Sequence, residues 1–457
     1  MSKTKSIWGE PFLWGAATSS HQVEGHNKHN DWWAWETKGK VDGGVKSGPA
    51  ADHRTHFRTD LALAKSLGLN SYRFSFEWSR FEPEEGKWDQ AAVDWYLELI
   101  AECERLDLVP MATLHHFTLP HWLAEQGGFS GEAAPKKFAS YVERIAKIFG
   151  SRIPLWCTVN EPMVLVAGSY LGGFMPPGEY QPRSASRASY NLLRAHVLAY
   201  DILRARGSKR EGPFKDRPLE VGFAHNMLHF QPERKWHPVE HGIAKALSFV
   251  YNESWLKAVN GERQAFGLPG VFPFAPQLAS ARGRRTFDFI GLNYYTKAYV
   301  QWRPRTQAKE SVPELPVGIS FARRKETASD LGWAVHPWGL RVVLEKLRRF
   351  RSPIYITENG IADADDDLRS EYIHGHLSEL ATAKKSGLDI RGYYHWSLID
   401  NFEWIKGFWP RFGLCEVDYE TFARVPRPSA NFLKSIIEAH PGGRAPDAAI
   451  LGKFADF

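Results

Sequence analysis

Apolar and β-branched residues recur along the chain in short runs. Between them lie longer stretches in which apolar positions return every three or four residues. The runs are FLWGAATS (12–19), SYRFSFEW (71–78), VPMATLHHF (109–117), LWCTVNEP (155–162), VGFAHNM (221–227), FDFIGLNYYT (287–296), PIYITENG (353–360) and RGYYHWSLID (391–400). Each reads as a strand. The stretch RTHFRTDLALAKSLG sets Phe57, Leu61, Ala64 and Leu67 on one helical face and stops at Gly68. DQAAVDWYLELIAECERLD repeats the pattern behind an Asp that can cap it, and PKKFASYVERIAKIFG again ends in Gly. Further helical patterns cover about 187–206, 337–351, 368–386 and 429–439.

Strand–helix alternation implies a parallel sheet covered by helices, and eight units favour a closed (β/α)8 TIM barrel over an open sheet. The competing arrangement is a doubly wound sheet. No G-x-G-x-x-G follows the first strand, and the DGGVKSG loop lacks phosphate-binding spacing. No linker or internal repeat divides the chain. Residues 1–457 are therefore expected to form one catalytic domain with a core over about 8–440, and 41–53 and 301–332 read as long loops.

Composition narrows this picture. A hydrophobic fraction of 43% supports a large core, and a charged fraction of 24% is ordinary for a globular protein. The net charge of +6 is spread out, the densest cluster being Arg348, Arg349 and Arg351, which reads as a solvated helix face, not a nucleic-acid surface. Cys103, Cys157 and Cys415 are far apart in sequence and lack metal spacing, which suits a reducing compartment. MSKTKSIWGEPFLWGAATSS has no continuous apolar core of a signal peptide, and no stretch reaches the roughly 18 apolar residues of a membrane span. The expected location is cytoplasmic. The 18 Trp residues are unusual, and several flank carboxylates, as in FEWSRFEPEEGKW and NFEWIKGFW. Such rings fill cores, but they also stack on the C–H faces of sugars.

Polar residues gather at the predicted strand ends: Gln22 and Glu24, Arg73 and Glu77, His115 and His116, Asn160 and Glu161, Asn226, Asn293 and Tyr295, Glu358 and Asn359, Trp396 and Asp400. Barrel active sites are built there. Glu161 ends the fourth run and Glu358 the seventh, so both face one barrel mouth. Glycoside hydrolysis requires such a pair. The bland alternative is that each Glu is a buried ion-pair member.

The motifs TVNEP, YITENG, FLWGAATSSHQVEG, YRFSFEWSR, GLNYYT and WSLIDNFEW…RFGL resemble those of family 1 glycoside hydrolases, the β-glucosidase family, in the family's order and over about residues 8 to 437. The resemblance implies a retaining, exo-acting β-glucosidase with no cofactor or metal and a small-molecule β-glycoside as substrate. It implies Glu161 as acid/base and Glu358 as nucleophile, the latter supported by Arg73 and Tyr295. Gln22, His116, Asn160, Asn293, Trp396, Glu403 and Trp404 match sugar-binding positions, Asn160 reading the 2-hydroxyl and Trp396 forming the floor. Relatives acting on 6-phosphoglycosides carry Ser in place of Glu403, followed by Lys and Tyr where this chain has Pro410 and Phe412. An unphosphorylated sugar (glucose, galactose or fucose) is therefore expected. Val159, Phe117 and His21 depart from the common Phe, Trp and Tyr. They remove no catalytic group but bear on the shape of the sugar site. A transglycosylase using the same intermediate and a non-catalytic carbohydrate-binding barrel are the alternatives. His115, His116 and His121 lack a second cluster for a metal, and the acidic run 363–367 lacks the Gly and Glu of a calcium loop.

Overall fold

The computed structural model describes residues 11–207, 209–263, 283–303 and 317–455. In chain order the strands are β1 (Leu13–Ala17), β2 (Ser71–Ser75), β3 (Val109–Thr113), β4 (Leu155–Asn160), β5 (Glu220–Asn226), β6 (His229–Pro232), β7 (Phe289–Asn293), β8 (Lys297–Trp302), β9 (Val317–Ser320), β10 (Ile354–Asn359), β11 (Ile390–Trp396), β12 (Cys415–Val417) and β13 (Arg424–Pro426). Eight of them close a barrel in the order β1-β11-β10-β7-β5-β4-β3-β2, every pair parallel. This is the (β/α)8 barrel that the alternating pattern implies.

Each side of the barrel wall has its own apolar cluster. Leu13, Val109, Met111, Leu155, Cys157, Phe289 and Tyr355 fill the interior. Trp14, Tyr72, Ala112, Trp156, Ile354 and Ile356 pack outward under the helices. Burial on both faces is why these strands read as continuous apolar runs. Beneath the site, Tyr355 donates to Glu220 at 2.7 Å, and Arg391 pairs with the same carboxylate at 2.6 Å, closing the interior with a satisfied polar layer.

The helices follow their periodicity. Gln90–Arg105 starts at Asp89, whose carboxylate accepts from the Ala91 N–H at 2.8 Å. Ala134–Phe149 buries Phe138, Tyr141, Val142, Ile145 and Phe149 along one stripe. Two departures from the expected layout matter. The crossover after β5 contains helix Pro238–Leu247, a π turn Ser248–Glu253 and helix Ser254–Val259, none of which was expected. The π turn shifts the helical phase, so no single apolar stripe runs through the segment. The stretch 301–332 is not a plain loop either. β8 runs on to Trp302, and β9 pairs with it antiparallel to complete a small sheet with β6. Residues 304–316 of that stretch, and 8–10 of the expected core, lie outside the described residues.

The predicted runs also extend past the strand ends. β3 stops at Thr113 and leaves His115 and His116 in the loop above it. Elsewhere the polar residues lie at the ends of the strands themselves, as with Asn160 in β4, Asn226 in β5, Asn293 in β7 and Glu358 in β10. Among the described residues, no helix is long and apolar enough to cross a membrane.

Candidate active site

The two strands that carry the carboxylates both break register at their upper ends. Ile356 of β10 aligns with Leu292 of β7, but Glu358 aligns with Asn293, so β10 holds one extra residue there. Tyr355 points into the barrel and Ile356 outward. Strict alternation would turn Glu358 outward too. The bulge rephases the strand and aims it inward. β4 does the same between Cys157 and Asn160. Gly360 follows because a Cβ there would meet the Trp396 carbonyl oxygen at 1.8 Å. Glu161 sits just past β4 with φ 45° and ψ 58°, a left-handed conformation costly for a non-glycine residue, at the start of helix Pro162–Tyr170.

The two carboxylates have contrasting partners. Glu358 accepts from Arg73 Nη1 at 2.5 Å and from the Tyr295 hydroxyl at 2.6 Å. Arg73 is fully buried and also donates to the Thr357 carbonyl at 3.1 Å and to Asn160 Oδ1 at 2.8 Å. Burial is the largest influence and opposes its charge, but Glu358, Cys157 and Tyr295 together raise its pKa. Burial, and then the charge of Glu358, keep Tyr295 a phenol far above its ordinary pKa.

Among the described residues, Glu161 has no cationic hydrogen-bond partner. Asn293 Nδ2 donates to its Oε1 at 2.8 Å, and the Asn226 amide at the end of β5 also favours the charged form. Burial, then the neighbouring Glu358 charge, push its pKa up to about 8 against the pull of these amides and of Arg73. Asn293 Nδ2 also lies 3.2 Å from Asn160 Oδ1, the atom that Arg73 holds. Hydrogen bonds therefore run without a gap from Glu358 through Arg73, Asn160 and Asn293 to Glu161.

The remaining expected site residues lie around this chain. Asn160 Nδ2 donates to His116 Nε2 at 3.1 Å, leaving the proton on the other nitrogen, which has no protein partner. Burial, then Arg73, hold His116 neutral. Its ring lies nearly parallel to Trp396 at 5.9 Å and to Trp404 at 6.2 Å. Gln22 donates to Glu403 at 3.3 Å and to Asn401 at 2.9 Å. Burial, then Glu358, push Glu403 up to about 8, against hydrogen bonds from Trp396 and Gln22. What disfavours phosphate is that Pro410 and Phe412 offer no cation, Phe412 being buried against Tyr295 and Trp333.

Other strand-end polar groups serve the scaffold. Glu24 pairs with Arg80 at 2.6 Å, and Glu77 accepts from Ser20, Ser79 and Thr118. Asp400 binds Arg427 and the Gly413 N–H. Asn359 ties the Tyr294 carbonyl to Tyr372 and Tyr393. His115 packs edge-on against Phe129, with burial pushing its pKa down to about 3. Asp363 is buried too, accepting the Leu368 and Arg369 N–H groups, so part of the acidic run is structural and not solvated. His115, His116 and His121 diverge, and among the described residues no three His, Cys, Asp or Glu side chains converge as metal ligands.

Sequence reasoning missed two supports and singled out a third, His21, only as a departure from the common Tyr. Thr357 donates to Asn293 Oδ1 at 2.6 Å. Tyr251 lies in the unexpected π turn, with no local signal to mark it. His21 has a built role: it stacks on Trp404 at 5.7 Å and 13°, with Glu36 at 2.7 Å on Nε2 and the amides of Asn27 and Asn30 on Nδ1.

A closed barrel with paired carboxylates and stacked aromatics at the C-terminal ends of its strands has the form of a glycosidase. The sequence matches the family "Glycosyl hydrolase family 1" over residues 4–441. The structure superposes on the beta-glycosidase from Pyrococcus horikoshii with a TM-score of 0.82 and 38% identity, covering 97% of this chain and 96% of that one. Beta-glucosidase A of Thermotoga maritima is 30% identical, over 94% of this chain and 97% of its own. The Beta-galactosidase of Pyrococcus woesei is also 30% identical, with the same coverage of 94% and 97%. The chain belongs to glycosyl hydrolase family 1 and is a glycoside hydrolase.

Proposed function

We propose that this enzyme is a retaining, exo-acting β-glucosidase that releases an unphosphorylated sugar, glucose first and galactose or fucose second, from small β-glycosides. The observation that carries the reading is the contrast between the carboxylates. Glu358 accepts from the Arg73 guanidinium and the Tyr295 hydroxyl, while burial and the Glu358 charge push Glu161 up to about 8. One is equipped to attack and the other to donate.

In the first step a Glu358 oxygen attacks the anomeric carbon. The glycosidic C–O bond breaks, and its electron pair goes to the leaving oxygen, which takes the proton of Glu161. The glycosyl ester neutralises Glu358, which removes the charge that raises the pKa of Glu161. Glu161, now a carboxylate, takes a proton from water. The water oxygen bonds to the anomeric carbon, and the ester electrons return to Glu358. Two inversions leave the β configuration. His116, Asn160, Gln22, Glu403 and Trp404 bind the sugar hydroxyls over the Trp396 floor, and the unpartnered N–H of His116 is free to donate to one of them.

We also assign the whole chain to one catalytic domain in the cytoplasm, with no nucleic-acid partner. Three free buried cysteines support the compartment. Arg348 and Arg349 pair with Glu345 and Glu262, which supports a solvated face there. The test is an initial-rate panel of nitrophenyl β-glucoside, β-galactoside, β-fucoside and 6-phospho-β-glucoside, with the first-released anomer followed by NMR. Release of β-sugar from an unphosphorylated member is expected. Release of the α-anomer would reject Glu358 as nucleophile.

A further inference from the structure

Asn293 donates to Glu161 at 2.8 Å, and Asn226, level with it on neighbouring β5, is the second amide beside the carboxyl; each amide is itself pinned. The oxygen of Asn293 accepts the Thr357 hydroxyl at 2.6 Å. The oxygen of Asn226 accepts the Tyr251 hydroxyl at 2.8 Å. An amide has one acceptor side and one donor side. With the oxygen occupied by a hydroxyl, only the N–H₂ side faces the carboxyl. Thr357 is next to the nucleophile in sequence, but Tyr251 comes from a different part of the fold.

The segment carrying Tyr251 is built to hold it there. It is the π turn Ser248–Glu253, a wide turn of a kind found often at functional sites. Its next residue, Asn252, is fully buried and grips both backbone groups of Leu228, accepting from N–H at 3.0 Å and donating to C=O at 2.8 Å. The Asn252 carbonyl also accepts from His225 Nε2 at 3.0 Å. The turn is thus anchored on both sides of Asn226. Phe230 of β6 meets the Tyr251 ring edge-on at 5.9 Å.

We propose that Tyr251 is a positioning residue for the acid/base carboxyl. By holding the Asn226 oxygen, it presents only N–H to Glu161 and so favours the carboxylate needed in the second step. The groups that face Glu161 are Glu358 from β10, Arg73 from β2, Tyr295 from the loop after β7 and Tyr251 from the π turn. Burial and Glu358 keep the proton on for the first step. Once Glu358 is esterified, the two pinned amides, with Arg73, favour its loss. Without the Tyr251 hydroxyl, the Asn226 amide is free to turn its oxygen toward a protonated Glu161.

This inference rests on Glu161 being the acid/base, which has its own test. Glu161→Ala with azide should yield β-glycosyl azide and recover rate; no azide adduct would sink that assignment and leave the Tyr251 contact unaddressed by it. In the full-length enzyme, Tyr251→Phe should lower kcat on dinitrophenyl β-glucoside roughly fivefold, the equivalent of one net hydrogen bond. That good leaving group makes the second step limiting, so KM should fall in parallel and kcat/KM at neutral pH should hold. The alkaline limb of kcat/KM should move up by roughly half a pH unit. In a Glu161→Gln background, Tyr251→Phe should add nothing. Asn226→Leu, which deletes the relay, should reproduce the shift and make Tyr251→Phe silent. An unmoved limb with unchanged kcat, or the same loss in the Glu161→Gln background, would overturn the proposal.

Discussion

Two carboxylates face one barrel mouth, and their surroundings differ in kind. Glu358 meets a buried guanidinium and a phenol on either oxygen. Glu161 meets amides only, and burial pushes its pKa up to about 8. A cation fixes a charge state, whereas neutral dipoles leave one open to change. A nucleophile needs the first environment. A group that gives a proton in one step and takes one in the next needs the second. The backbone differs likewise: Glu358 stays within a bulged strand, while Glu161 adopts a left-handed turn beyond its strand.

The strongest way to break the comparison is to remove one side of it. Glu358→Ala should lower kcat on nitrophenyl β-glucoside by roughly 10⁴-fold or more. Added azide should then give the α-glycosyl azide, the opposite anomer from that expected with Glu161→Ala. The same anomer from both variants would collapse the distinction. Next in size, Arg73→Met leaves Glu358 with Tyr295 alone. An orphaned buried charge costs about 3–5 kcal/mol, so a fall in kcat/KM of roughly 10²-fold or more should accompany a lower Tm.

The pH profile sharpens the contrast. In the proposed mechanism the first step uses protonated Glu161, so kcat/KM should hold at lower pH and fall as pH rises through about 8, and Glu161→Gln should erase that limb. Stability is linked in the same sense. Above about 4.5 the carboxyl is ionised when unfolded, yet it keeps its proton in the fold up to about 8. Unfolding therefore releases a proton in that window, and stability declines as pH rises across it. Glu161→Gln, which cannot ionise, should melt higher than the parent at pH near 7 in a thermal scan. The smallest expected effect is at His21. His21→Ala removes the ring stacked on Trp404, and KM for the glucoside should rise a few-fold with little change in kcat.

The barrel was legible in the sequence because each strand–helix unit carries its own periodicity. Glu161, Glu358, Arg73 and Tyr295 stood out because charged and polar groups at the ends of apolar runs need a reason to be there. The same reasoning pointed equally to Glu24, Glu77, Asp400 and His115, which the structure assigns to the scaffold. Strand ends hold both pocket residues and the polar network beneath the loops, and one-dimensional pattern does not separate them. Tyr251 left no trace of its role, and His21 showed only as a departure from the common Tyr, since each acts through a residue distant in sequence.

By itself the sequence determined the alternation of strands and helices, the faces that pack, and which residues are available at the barrel mouth. These follow from local periodicity and from the cost of burying polar groups. Tertiary structure decided which of those residues meet. The bulges in β4 and β10 turn Asn160 and Glu358 inward against the strand alternation. Closure of the sheet brings Arg73 to Glu358, and the docked π turn brings Tyr251 to Asn226. Charge state follows from these contacts, because burial and neighbours set a pKa and neither exists until the chain has folded.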